Sequence, residues 1–166
     1  MRNDQLRPRS ISGLVFAVLL SSCGSRQPQT EQTLPVTQST EMNAPLSSFS
    51  EDIQSPVKSL ALRPGEITLV PITLRNTDTS VLSSAGRNPV RISYKWFDHG
   101  KILPIEGERT ALPGPLNPGA SLDIKVIVAA PETPGDMVLK ITLVQEGVAW
   151  FVMAGATSLV LPVTVH

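Results

Sequence analysis

Val90-Arg91-Ile92-Ser93-Tyr94-Lys95-Trp96-Phe97 alternates large apolar side chains with mostly polar ones, residue by residue. In an extended strand successive side chains point to opposite faces. Val90, Ile92, Tyr94 and Trp96 therefore share one face, and Arg91, Ser93, Lys95 and Phe97 the other. The pattern recurs. Leu122, Ile124, Val126 and Val128 oppose Asp123 and Lys125, while Met137, Leu139, Ile141 and Leu143 oppose Lys140 and Thr142. Leu159, Leu161, Val163 and Val165 close the chain in the same way. Such alternation predicts strands with one buried and one wet face.

Between these stretches lie turn signals. Pro64-Gly65, Pro118-Gly119 and Pro134-Gly135 each precede a strand, Pro presetting φ and Gly accepting a positive one. Asp98-His99-Gly100 reads as a hairpin tip. Pro71 interrupts the run from Ile67 to Leu74, where the apolar register also shifts from Ile67 and Leu69 to Val70, Ile72 and Leu74. A bulge or an edge position would account for both. Seven or eight strands over residues 55–166 predict an all-β, immunoglobulin- or fibronectin-like sandwich, with a small closed barrel as the alternative. Trp96 is the expected plug between its sheets.

The chain has 166 residues and zero formal net charge, with no basic stripe, which argues against a nucleic-acid partner. Its 15 prolines argue against long helices. A single cysteine, Cys23, rules out an intramolecular disulfide and leaves the fold to packing alone.

The first 22 residues have the parts of a secretory signal. Arg2, Arg7 and Arg9 precede the apolar run Leu14-Val15-Phe16-Ala17-Val18-Leu19-Leu20, which falls well short of the ~20 residues a membrane-spanning helix needs. Leu20-Ser21-Ser22-Cys23 resembles the lipobox of bacterial lipoproteins. The resemblance implies diacylglycerol on the Cys23 thiol, cleavage before that residue, and membrane attachment outside the cytoplasm. Gly24, where an Asp would favour inner-membrane retention, resembles an outer-membrane passenger facing the periplasm of a Gram-negative host. From Cys23 to residue 54 the chain is rich in Gln, Ser, Thr and Pro without a sustained apolar period, which predicts a disordered tether.

Tyr94-x-Trp96, Arg109-Thr110-x-Leu112-Pro113, Pro118-Gly119, Pro131-x-x-Pro134-Gly135 and Gln145-Glu146-Gly147-Val148-Ala149-Trp150-Phe151 together resemble immunoglobulin-like accessory domains. Those domains are attached to bacterial glycosyltransferases and methyltransferases of surface-polysaccharide pathways. The resemblance spans about residues 60–166. It implies a non-catalytic sandwich associated with envelope glycans.

Chemistry-bearing constellations are sparse. His99 and His166 are the sole histidines, too few and too far apart for a convergent metal site, and no catalytic residue, metal or cofactor is expected. Glu106 and Glu108 lie beside Arg109 as a charge-balanced loop rather than an acid–base pair. Recognition is the better expectation. In each of the pairs Trp96-Phe97 and Trp150-Phe151, one ring can enter the core while its neighbour stays at the surface or under a loop. Phe97, Trp150 and Phe151 are thus candidate ligand platforms. Arg109 is either a polar ligand contact or a clamp to Glu146. The expected function is a lipid-anchored, non-enzymatic binding module of the cell envelope, associated with polysaccharide. The alternative is a structural or chaperone-like subunit docking an envelope protein through a sheet edge.

Overall fold

The structure, a computed structural model, describes residues 44–166. The signal peptide, Cys23 and the tether up to residue 43 lie outside the described residues. Ten strands run in the order β1 (Glu51–Gln54), β2 (Leu60–Leu62), β3 (Ile67–Asn76), β4 (Val90–Asp98), β5 (Lys101–Ile102), β6 (Thr110–Ala111), β7 (Ser121–Ala129), β8 (Gly135–Gln145), β9 (Ala149–Trp150) and β10 (Leu159–Val165). Three of the ten have two residues only; of the seven longer strands, six lie within residues 55–166.

Two sheets result. One has the order β1-β3-β7; the other has β2-β10-β8-β4-β5, with β6 also on β4 and β9 on β8. The first long stretch is split between them. β1 pairs antiparallel with β3, and after Ser55-Pro56 the chain crosses over so that β2 runs parallel to β10. This is the division of strands seen in an immunoglobulin-like sandwich. The inward faces fill the space between the sheets with Val70, Ile72, Leu74, Ile92, Tyr94, Trp96, Val126, Val128, Leu139, Ile141, Leu143 and Leu161, all buried.

Two of the three Pro-Gly pairs close tight turns. Glu66 N–H donates to Arg63 C=O at 3.0 Å, and Ala120 N–H donates to Asn117 C=O at 3.0 Å. In each turn the glycine sits at positive φ (68° and 76°) behind a proline, the type II arrangement. The third glycine, Gly135, instead opens β8 at φ 152°. The β4–β5 hairpin pairs Asp98 with Lys101 around His99 and Gly100, both at positive φ, as a two-residue turn of type I′ requires.

Pro71 needs no bulge. β3 and β7 pair without interruption from Ile67–Ala129 to Arg75–Ser121. On the other side β1 stops at Thr73, so Pro71 lies beyond its reach, and the Pro71 carbonyl there accepts from Ser55 Oγ at 2.7 Å. The absent N–H faces the same unpaired side. The apolar register does not slip either. Ile67 and Leu69 simply point outward, 69% and 55% exposed, beside the partly exposed Ile127.

The sandwich begins earlier than the composition suggests. Residues 51–54, read from sequence as tether, form β1 on the edge of the three-stranded sheet. The signal was masked because a carboxylate occupies a core position: Glu51 is buried at 3% exposure. Its Oε1 accepts from Thr142 Oγ1 at 2.6 Å and its Oε2 from Leu143 N–H at 2.8 Å. Burial pushes its pKa up to about 7, against the pull of those two hydrogen bonds. Residues upstream are fastened as well. Gln145 accepts from Leu46 N–H and donates to the Ala44 carbonyl, and Ser48 Oγ donates to Asp78.

Candidate functional site: the outer face of β4, β8 and β9

The Gln145–Phe151 block, the most distinctive stretch of the sequence, forms a hairpin. Gln145 pairs with Ala149 and Val144 with Trp150, around Gly147 at φ 73°. This geometry separates the two rings. Phe151 leaves the strand, is completely buried, and meets Phe49 edge-on at 5.0 Å between centroids. Phe151 is therefore removed from the candidate ligand platforms: the upstream segment covers it.

Trp150 stays on the outer face. β9 lies on the side of β8 away from β4, so its indole reaches across β8 toward β4. There Lys95 Nζ lies 4.0 Å from the ring centroid and the Arg109 guanidinium carbon 4.7 Å. Both cations are held by carboxylates. Lys95 donates to Glu106 at 2.9 Å, and Arg109 Nε donates to Glu146 Oε1 at 2.7 Å. The clamp to Glu146 and a place beside the ring are thus both uses of Arg109. The Lys95 hydrogen bond, followed by Arg109, outweighs desolvation and holds the Glu106 carboxyl below its ordinary range.

The loop carrying Glu106 and Arg109 is pressed against β4. Ser93 Oγ donates to the Gly107 carbonyl, and a Cβ on Gly107 would stand 2.4 Å from the Tyr94 carbonyl oxygen. A backbone oxygen that close cannot be moved aside cheaply, so glycine at 107 is what lets the loop place its charges over the sheet.

Phe97 is half-buried at the other end of β4, opposite Val138, with Lys140 Nζ 4.4 Å from its centroid. Two aromatic rings, each with an amine over it, therefore share one sheet face. Alternation alone puts Lys95 and Phe97 on a common face, and Lys140 outward on its own strand. The register that brings those faces together, Lys95 opposite Lys140, is a long-range property.

The long edge strand β7 is shielded along part of its length. Thr110 Oγ1 accepts the Ile127 N–H at 3.2 Å, and Tyr94 Oη accepts the Ala129 N–H at 2.9 Å. The exposed Asp123 and Lys125 project from the remainder, a common defence against strand addition. Among the described residues no three His, Cys, Asp or Glu side chains converge to hold a metal ion. His99 pairs with Asp98 at the exposed hairpin tip. A shallow open concavity beside β2 is lined by Ala61, Arg63, Glu66 and His166.

No protein-family model matches the sequence, and no curated protein matches it. Among solved structures the chain is similar to Spo0M, the sporulation control protein from Bacillus subtilis, at 13% identity and a TM-score of 0.41, covering 73% of this chain and 51% of that one. It thus spans about half the length of the Spo0M chain. It is also similar to SSP-19, an MSP-domain protein like family member in Caenorhabditis elegans, at 14% identity and a TM-score of 0.29, covering 65% of this chain and 92% of that one. Likenesses at this level carry no argument about function.

Proposed function

We propose that this chain is a lipid-anchored, non-enzymatic accessory module of the cell envelope that holds envelope polysaccharide on the outer face of β4, β8 and β9. The carrying observation is Trp150: a half-buried indole laid across the sheet, with Lys95 and Arg109 over its ring. An indole offers a flat apolar surface to the C–H face of a sugar ring at small entropic cost, while neighbouring donors reach its hydroxyls. The platform is preorganised, because Glu106, Glu146 and the Gly107 contact hold the cations in place before any ligand arrives. The shielding of β7 at Ile127 and Ala129 weighs against docking of a protein through that edge.

Residues 44–166 immobilised on a resin and washed with envelope extract of the producing cell are expected to retain polysaccharide. The Trp150→Ala variant, still folded by circular dichroism, is expected to retain at most about a fifth as much, on the scale of about 1–3 kcal/mol for a lost apolar ring contact. Retention that is unchanged by Trp150→Ala, or no retained sugar at all, contradicts the proposal.

The anchor is tested separately. Two or more acyl chains on Cys23 would hold the protein durably at the membrane, each buried methylene contributing ~0.8 kcal/mol. Cys23→Ser is expected to abolish incorporation of labelled fatty acid into the protein. A variant that still takes up the label contradicts lipid attachment at that residue.

A further inference from the structure

Lys95 and Lys140 stand directly opposite each other in the β4–β8 ladder, both on the outer face and both half-buried. Like charges in directly opposed positions repel and weaken a sheet. The fold eases the repulsion by turning the two apart, and it does so unequally. Lys95 goes to Glu106 and the Trp150 ring. Lys140 goes to the Phe97 ring, and no carboxylate among the described residues lies within ion-pair distance of it. Among the described residues the negative face of the ring is its sole counter-charge.

We infer that the ligand held on this face is an acidic polysaccharide, whose sugar carboxylates pair with Lys140 and fill the unmatched half of the lysine pair. This inference rests on the glycan proposal above and specifies the chemistry of that ligand. A carboxylate gives the Lys140 ammonium a charge-assisted hydrogen bond, which is stronger than its contact with a half-exposed ring. Binding draws the amine off Phe97. The uncovered ring is then free for the apolar face of a neighbouring sugar, so one exchange supplies both a charge contact and a stacking surface. Lys95 stays with Glu106 and serves chiefly to keep Trp150 in place.

Affinity electrophoresis of residues 44–166 through gels containing alginate, a polyuronate, or dextran, a neutral polymer, tests this. Retardation by alginate but not by dextran is expected, with an apparent affinity that falls on adding salt. Lys140→Gln is expected to lower the alginate affinity tenfold or more while leaving the melting temperature unchanged or slightly raised, because it relieves the repulsion from Lys95. Equal retardation by both polymers, retardation by neither, or an alginate affinity untouched by Lys140→Gln overturns the inference. Binding to vesicles of anionic lipid in place of alginate overturns it as well. If native envelope polysaccharide is nonetheless retained by the resin, the glycan proposal stands and its acidic character alone is lost. If nothing is retained, both fall.

Discussion

Replacing Trp96 by alanine is expected to leave most of the protein unfolded at 37 °C. The indole is completely buried in β4 and meets Tyr94 edge-on at 6.1 Å. Its removal opens a cavity between the sheets, which costs about 3–5 kcal/mol for a fully buried aromatic. Packing is only part of the effect. Trp96 Nε1 donates to the Ala129 carbonyl at 3.2 Å, while Tyr94 Oη accepts the N–H of the same residue. The two aromatics of β4 thus complete the hydrogen bonding of the last residue of β7 and close one side of the sandwich. Losing the donor leaves a carbonyl in a poorly hydrated place, a further ~1–3 kcal/mol. Against a total stability of about 5–15 kcal/mol for an ordinary domain, this is a large share. Trp96→Phe separates the two effects, since it keeps most of the apolar volume and gives up the donor. Thermal melts should rank wild type above Trp96→Phe and both well above Trp96→Ala. A Trp96→Ala protein melting with the wild type would contradict the role of this residue as the plug.

The second large effect concerns pH. Glu51 titrates near 4.5 when solvated and at about 7 in the fold, because burial disfavours its charge. Below pH 4.5 it is protonated in both states, and its contribution to folding is fully present. Between those two values the folded chain holds a proton that the unfolded chain has released, so stability falls as pH rises. Above pH 7 the fold must carry the buried carboxylate, and the contribution is gone. The difference amounts to about 3 kcal/mol, or roughly 10 °C in melting temperature for a domain of this size.

Glu51→Gln should abolish this dependence. The amide can accept from Leu143 N–H and donate to Thr142 Oγ1 without bearing charge. The variant is therefore expected to melt at nearly the same temperature at pH 5 and pH 8, and above the wild type at pH 8. A wild-type melting temperature that rises across this range would contradict the dominance of burial over those two hydrogen bonds at this carboxyl.

Glu51 also shows where the sequence stops being legible. The four strands with clean alternation, β4, β7, β8 and β10, announce themselves because their inward residues are apolar at a period of two. β1 does not: of Glu51, Asp52, Ile53 and Gln54, a single residue is apolar, and the most buried is a carboxylate. Its core position is justified by Thr142 and Leu143, about ninety residues away, and no local pattern encodes such partners. β3 misleads in the opposite direction. Ile67 and Leu69 are apolar yet outward, so the apparent shift in register is a change in which face is greasy rather than a bulge.

The candidate site divides along the same line. Alternation places Phe97 outward and Trp96 inward, and the structure agrees. For Trp150 and Phe151 alternation guarantees that the rings part, but which one faces out depends on the Gly147 hairpin and on Phe49 covering Phe151. The lysines beside the rings were visible as outward residues of two separate strands. Their opposition follows only from the β4–β8 register.

The central claim is that a polysaccharide sits on Trp150, and the protein carries its own reporter. There are two tryptophans, and the other, Trp96, is fully buried. Quenching of the intrinsic fluorescence of residues 44–166 by neutral acrylamide therefore reports on the Trp150 ring. With purified envelope polysaccharide added, the account predicts a saturable loss of quenching as sugar covers the indole. Quenching that stays the same while the resin still retains that polysaccharide would place the ligand elsewhere on the protein and contradict the account.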